Sequence, residues 1–327
     1  MLCVHHLCRV DGAAEHQILP DQQMYKIIPE RWLGEPRYHP KDIAIPCGGC
    51  HECRLSKSRE WADRMMLELD HSKTAIFATL TYSPDFVPIS MLDDNDECIF
   101  TLDKRDVQLF LKRLRKRFEP REIRYFLSGE YGDTTQRPHY HAIIYGLSLD
   151  DFSDRLSISR NLHGQMIYYS PLFSKIWGKG HCSIAPVSWQ TCAYVARYTL
   201  KKLTGDMSDI YALRQQLPPF ALMSRNPGIA GHYLKEHPDC INKSYLYTRD
   251  DFGVTPRTKM RVPSYIFDKI RLTNPDLYAK IKEERRLNAK LSMDNQLADT
   301  DLGFVEYLEC KADELDVRLR KLPRDKV

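Results

Sequence analysis

Apolar side chains return at helical spacing between residues 56 and 70. Ala62, Met65, Met66 and Leu69 fall at i, i+3, i+4 and i+7, and Arg59, Glu60, Asp63 and Arg64 take the other side. The spacing predicts an amphipathic helix of about four turns. "AIFATLTY" (75–82) is rich in β-branched and aromatic residues and is stopped by Ser83 and Pro84, so it predicts a strand. The acidic stretch around "MLDDNDE" has loop composition. A second helix is predicted from Asp103, a suitable N-cap, to about Phe118, with Val107, Phe110, Leu111, Leu114 and Phe118 as its apolar stripe.

"IRYFLSGE" (123–130) and "PHYHAIIYGL" (138–147) predict two buried strands joined by the polar "YGDTTQR". That loop is longer than most hairpin loops. Residues 148–165 are polar and are expected to be an insertion, and "GHCSIAPV" (180–187) predicts a further strand. "SWQTCAYVARYTLKKL" (188–203) predicts an amphipathic helix capped by Ser188. Beyond Gly205, "LMSRNPGIAGHYL" has loop chemistry, and the last fifty or so residues are charged and helical. There is no internal repeat. The order strand, helix, three strands, helix predicts an α+β fold, a central antiparallel sheet with packed helices.

Composition narrows the function classes. The chain has 327 residues, 43% hydrophobic and 28% charged, enough to bury a core, with a net charge of only +4. A nucleic-acid site would therefore rest on local basic clusters. No stretch approaches the roughly 18 apolar residues of a membrane span, so no membrane partner is expected. "MLCVHHLCRV" is too short and polar for a secretory signal, and its reduced thiols point to a cytoplasm. No Gly-x-x-x-x-Gly-Lys-Ser/Thr loop is present, which excludes a motor of that type.

Three clusters carry candidate chemistry. In "RPHYHAIIYG" (137–146), His139 and His141 share one strand face, where they could hold a cation or serve as ordinary polar strand residues. Glu130, which ends the preceding strand, is the natural third ligand; two imidazoles and a carboxylate suit Mg²⁺ or Mn²⁺ with positions left for phosphate oxygens. On the 188–203 helix, Tyr194 and Tyr198 stand four apart on one face, with Lys201 angularly between them and Arg197 bordering it. Tyrosines so spaced are often core packing, yet a buried stripe seldom carries a lysine in its middle. With a pKa near 10, only about a thousandth of a tyrosine is phenolate at neutral pH. A neighbouring ammonium and a metal are the usual means of lowering that pKa. The third cluster is "KRLRKR" (112–117), a solvated helix face or a phosphate-tracking surface built on Lys112, Arg113, Arg115 and Lys116.

The cysteines stay open. Cys47, Cys50 and Cys53 have C-x₂-C-x₂-C spacing and could hold a structural Zn²⁺ with Cys3, Cys8 or His51 as fourth ligand. The same spacing begins an iron–sulfur run, but Lys57 stands where its fourth cysteine belongs. Plain reduced thiols are the third reading.

"TLTY" (79–82), "GEYG" (129–132), "RPHYHAIIYG" and "YVARYTLKK" (194–202) resemble the motifs of HUH endonucleases. The resemblance is greatest to the replication initiators of microviruses, especially gokushovirus-like single-stranded-DNA bacteriophages. It extends to "PCGGCHECR", the "LKRLRK" helix, "MSRNPGI" (223–229) and "VPSYIFDK" (262–269) in consistent order, from residue 46 to about 270. It implies a Rep-like fold in four parts: an irregular Cys-rich segment (1–55), a nuclease core (56–205), a family-specific part of that core (206–270) and a charged helical tail (271–327). It also implies that His139 and His141 bind the metal and that Tyr194 and Tyr198 act in turn as nucleophiles. The reaction would nick and rejoin phage origin DNA, single-stranded or supercoiled, in the cytoplasm of the bacterial host, with host helicase and polymerase as partners. A transposase or plasmid initiator on the same fold is the enzyme alternative. A zinc-stabilised nucleic-acid-binding protein without catalysis is the other.

Overall fold

The computed structural model describes residues 51–160, 164, 166–198, 206–242, 245–248 and 258–303, with scattered positions up to 317. In chain order the elements begin with α1 (His51–Ser72), β1 (Ala75–Thr81), β2 (Ile89–Leu92), β3 (Cys98–Phe100) and α2 (Lys104–Arg117). β4 (Arg124–Tyr131), β5 (Pro138–Tyr145), β6 (Leu156–Arg160), β7 (Met166–Tyr169), α3 (Pro171–Trp177), β8 (Cys182–Pro186) and α4 (Trp189–Tyr198) follow. The remainder is α5 (Asp206–Leu213), β9 (Phe220–Met223), α6 (Gly231–Glu236), β10 (Tyr245–Thr248), β11 (Thr258–Arg261), α7 (Ser264–Thr273) and α8 (Pro275–Ala298). Lys57–Lys282 forms one compact unit, and the described residues from Glu283 onward belong to a second. No helix among the described residues is long and apolar enough to cross a membrane.

Seven strands pair in the order β6-β7-β8-β1-β5-β4-β9, each pairing antiparallel. Successive strand residues face opposite ways, so the three middle strands feed two cores. Phe77, Phe126, Ile143 and Tyr145 pack with Ala62 and Met65 of α1 and Val195 and Ala196 of α4. Leu80, Leu127, Tyr140 and Ile144 pack on the other side with Val107, Phe110 and Leu114 of α2 and with Trp177 of α3. Each such side chain taken from water contributes about 1.5–3 kcal/mol, which makes the sheet centre the rigid part of the fold. The expected α+β fold, with helices packed on an antiparallel sheet, is the one observed.

Several local expectations are corrected. The acidic stretch is not a plain loop: β2 and β3 form a hairpin around it, and the Asp93 carboxylate accepts the backbone N–H of Asn95 (2.9 Å) and Glu97 (2.8 Å) across its turn. Residues 148–165 are not an insertion outside the sheet, because β6 within them is its edge strand. All five β6 residues are exposed, so no buried face imposes an alternating pattern. β9, expected as loop, pairs with β4, and α1 starts at His51 rather than near residue 56. α4 is described to Tyr198; residues 199–203 of the predicted helix lie outside the described residues.

Buried charges tie α1 to the sheet. The Arg124 guanidinium and the Glu68 carboxylate pair at 5% and 0% exposure, so neither charge meets water. Glu68 also accepts the N–H of Ala230 (2.7 Å), and Arg124 donates to the carbonyl of Pro227 (2.8 Å), which fixes the 226–230 segment. Arg64, stacked between Trp61 and Tyr265, donates to the Ile229 carbonyl at 3.0 Å. Asp63 is a different case. Its carboxylate accepts the Trp189 indole N–H at 2.8 Å and is 6% exposed. Burial pushes its pKa up to about 6, against the opposing pull of the Trp189 bond and Arg59.

A carboxyl whose folded pKa lies above its unfolded value near 4 holds its proton more tightly in the native state. Folding stability therefore falls as pH rises from about 4 to about 6 and stays lower above that. Asp63→Asn keeps the acceptor for Trp189 and removes the titration. The variant is expected to melt higher than the parent at pH 7, by the equivalent of about 1–3 kcal/mol, with the gap closing towards pH 4. A gap of the same size at both pH values would contradict the assignment.

Candidate active site

The end of the sheet beneath α4 turns polar. On the face that carries Phe77, Phe126 and Ile143, the next positions along β1, β4 and β5 are Thr79, Ser128 and His141, paired side by side. One step further the row reads Thr81, Glu130 and His139. Directly opposed antiparallel residues hold their Cβ atoms about 4.5–5.5 Å apart, close enough for the side chains to converge. The Glu130 Oε1 atom lies 3.1 Å from His139 Nε2 and 3.0 Å from His141 Nε2. Among the described residues, this trio is the group of side chains whose ligand atoms, within 4.8 Å of one another, could hold a metal ion.

The orientation of each ring has a cause. His139 Nδ1 lies 3.2 Å from the Arg137 carbonyl, which can only accept, so Nδ1 carries the proton and Nε2 presents a lone pair. His141 Nδ1 meets the Thr79 hydroxyl at 3.1 Å, leaving its Nε2 inward. Outer partners of this kind set the tautomer and direction of metal-ligating imidazoles. Phe77 stacks on the His141 ring at 5.8 Å and 7° and fixes its plane. Burial, the largest influence, pushes the pKa of His141 down; the Glu130 bond opposes it and His139 adds to it. His141 is thus neutral at pH 7, the form that ligates. Burial raises the Glu130 carboxyl, but the bonds from His139 and His141 together outweigh it and hold the group below the ordinary carboxylate range.

The residues fit a divalent cation. Glu130 is 3% exposed and its Oε2 atom, fully buried, finds no hydrogen-bond partner among the described residues. An ionised oxygen left so is costly unless a cation or water compensates it. One carboxylate and two inward Nε2 atoms form a mixed oxygen and nitrogen donor set, which suits Mg²⁺, Mn²⁺ and several other divalent ions.

α4 crosses above this floor, with Ser188 Oγ accepting the Thr191 N–H at 3.3 Å to start it. Tyr194 stands edge-on to His141, ring centroids 4.9 Å apart at 82°, and its hydroxyl lies 3.3 Å from His141 Nε2. Tyr198 ends the helix one turn later on the same face, though its side chain lies outside the described residues. Arg197 is exposed on α4. Lys201, Cys47, Cys50 and Cys3 lie outside the described residues; Cys53 is half-buried near the start of α1.

The basic cluster is elsewhere. α2 packs on the opposite face, and its Lys112–Lys116 portion lies towards the start of β4, away from Glu130. Arg113 donates at 2.7 Å to each of the Ile176 and Trp177 carbonyls at the end of α3, and Arg115 donates to the Ile123 carbonyl at 3.2 Å. Those guanidinium groups cap chain ends, while Lys112 and Lys116 are exposed.

Sequence reasoning did not assign a role to Thr79 or to the layer beneath the histidines. Tyr140, between the two histidines, faces the other core; its hydroxyl meets that of Tyr82 at 2.9 Å and donates to the Asp103 carbonyl at 3.0 Å. Tyr82 donates to Asp106 at 3.0 Å. Gly129, opposite Tyr140, leaves room for that ring, since a Cβ there would lie 3.1 Å from it. Gly180 lets the approach to β8 cross the end of β1: a Cβ would fall 2.4 Å from the Thr81 carbonyl oxygen. The signal for Thr79 was present, because period-two reading of "FATLT" already puts Phe77, Thr79 and Thr81 on one face.

Comparison with known proteins bears on the same region. Residues 75–203, from β1 through α4, match the model of a family described as replication-associated protein ORF2. The replication-associated protein ORF2 of Spiroplasma virus 4 is 31% identical over 290 residues, 86% of this chain and 85% of the relative. The replication-associated protein VP4 of Bdellovibrio phage phiMH2K is 28% identical over 279 residues, 81% of each chain. The replication-associated protein ORF4 of Chlamydia phage 1 is 28% identical over 163 residues, 48% of this chain and 38% of the relative. No solved structure matches the chain. With the matched span holding the triad and both tyrosines, and with identity sustained over most of both lengths, the chain belongs to the phage replication-associated proteins.

Proposed function

We propose that this protein starts phage genome replication by nicking single-stranded origin DNA through a tyrosine-5′-phosphate intermediate and later rejoins the displaced circle. The observation that carries the reading is the Tyr194 hydroxyl, 3.3 Å from His141 Nε2 and over the Glu130, His139 and His141 cluster. A tyrosine in ordinary core packing has no need of a convergent carboxylate and two oriented imidazoles. Held by those three residues, Mg²⁺ or Mn²⁺ would supply Lewis-acid charge at the scissile phosphate.

In the first step the Tyr194 oxygen bonds to phosphorus as its proton is released, and the bond from phosphorus to the 3′ oxygen breaks. That oxygen takes up a proton and becomes the 3′-OH from which the host polymerase extends, with a host helicase opening the duplex ahead. Tyr198, one turn along α4, is suited to cut the regenerated origin, whose free 3′-OH then attacks the first phosphotyrosine and closes the circle. Lys201 is proposed to lower the tyrosine pKa. Arg197 and the exposed Lys112 and Lys116, with Arg113 and Arg115 where their caps leave N–H groups free, are proposed phosphate contacts. The fixed floor and the short reach from Tyr194 supply the positioning on which such a displacement depends.

Single-stranded oligonucleotides tiled across the phage genome, run with protein on a denaturing gel, test the nucleophiles. Tyr194→Phe and Tyr198→Phe remove only a hydroxyl and should leave the fold intact. The double variant is expected to form no covalent adduct on any oligonucleotide. Adduct at the parental yield would refute the assignment, and full strand transfer by Tyr198→Phe alone would mark a one-tyrosine enzyme instead.

His139→Ala and His141→Ala are expected to lower nicking in Mg²⁺ by at least about 100-fold, the lower range for losing a positioned electrostatic group. Binding of the same oligonucleotide by fluorescence anisotropy should stay within about twofold of the parent, since phosphate contacts dominate affinity, and should fall steeply with salt. Normal cleavage by either variant would put the metal site elsewhere.

A further inference from the structure

Around the same end of the sheet runs a rim of cations seated over phenyl rings. Lys179 Nζ lies 5.7 Å from the Phe86 ring, Arg137 Cζ 5.3 Å from Phe100, and Lys104 Nζ 5.1 Å from Phe220. Each falls within the roughly 6 Å reach of a cation–π contact. The pairs are linked through the strand ends that bear the triad. Lys179 O accepts the Ser83 N–H at 2.9 Å just after β1, and Arg137 donates to the Tyr82 carbonyl at 3.0 Å just before β5. Phe220 opens β9 opposite Gly129, next to Glu130. The rim thus crosses the ends of β8, β1, β5, β4 and β9 in order, passing the open side of the triad.

The rings are not there to fill a core. Phe86 is 50% exposed, and Ile89, at the base of the β2–β3 hairpin, is 53% exposed. A soluble fold gains nothing from leaving a phenyl ring half in water beside a lysine. The chemistry matches one kind of occupant: an unpaired nucleic-acid strand, whose bases stack on rings while its phosphates meet the adjacent cations. A protein partner would favour a continuous apolar patch, and duplex DNA hides its base faces. Asp85 and the acidic turn at Asp93, Asp94, Asp96 and Glu97 repel phosphates, so the backbone of a bound strand keeps to the cation side of the rings.

We propose that this rim is the track along which single-stranded DNA enters or leaves the triad, with Phe86 as its outermost stacking platform. The inference rests on the reading of the triad as a DNA-nicking site and adds where the flanking strand lies. It names residues outside the nicking machinery.

The test uses the full chain without added metal and fluorescently labelled oligothymidine, one about 6 and one about 20 nucleotides long, spanning the per-site range of single-strand binders. Phe86→Ala is expected to weaken binding of the long strand about 5- to 100-fold, the range for one lost base stack, and to leave the short strand and a duplex unchanged. Phe86→Trp is expected to restore the long-strand affinity. Equal affinity of Phe86→Ala and parent for the long strand would overturn the track. So would equal weakening by Ala and Trp, because loss of stacking would then not be the cause. The adduct assay on the parent, run in parallel, separates the two readings: no adduct with the Phe86 dependence intact removes nicking and keeps the track.

Discussion

The pairing of β5 with β4 on one edge and β1 on the other decides which side chains meet at the polar end of the sheet. Strand side chains alternate with a period of two, so a slip of one residue in either pairing would send a whole set to the opposite face. In the observed register Glu130 lies across from His139 and Thr79 across from His141. That single constraint brings the carboxylate to both imidazoles and the threonine hydroxyl to the back of one of them. The apolar half of the same rows, Phe77, Phe126 and Ile143, is locked between α1 and α4, which makes slippage expensive. Packing at one end of the strands thus sets the chemistry at the other.

The two faces of β5 divide the work. His139 and His141 look towards α4, while Tyr140 between them is anchored below through Tyr82, Asp106 and the Asp103 carbonyl. Burial pushes the Tyr82 and Tyr140 hydroxyls well above the ordinary tyrosine range, so both remain protonated donors. Lys179 pairs with Asp106 at 3.0 Å and joins that lower network to the rim that faces solvent. A buried, hydrogen-bonded polar network of this kind fixes geometry as much as it adds stability, and here it lies directly under the cluster whose atoms must stay within a few tenths of an ångström.

Much of this was legible in the sequence because it depends on period. β1, β4 and β5 are continuous apolar runs buried on both faces, and α2 has a clear stripe with Asp103 accepting at its cap. The shared face of His139 and His141 with Glu130 as their neighbour followed from the same alternation. The edge strand β6 was not legible, since a strand exposed on both faces imposes no pattern. Nor was the β2–β3 hairpin, where the acidic turn masks short strands that are largely exposed. The basic run on α2 reads as one surface in sequence, yet Arg113 and Arg115 spend their guanidinium groups on carbonyls at the ends of other elements. Such long-range capping leaves no trace in local spacing.

The central claim is that register builds a divalent-cation site from Glu130, His139 and His141. Electron paramagnetic resonance of Mn²⁺ titrated into the full-length protein measures it without reference to DNA or catalysis. Glu130→Gln keeps the side-chain volume and its contacts with the imidazoles but removes the charge. The expected result is about one Mn²⁺ bound per chain by the parent, displaced by excess Mg²⁺, with affinity at least tenfold weaker in Glu130→Gln. Mn²⁺ binding of equal strength and stoichiometry in the two proteins would contradict the account.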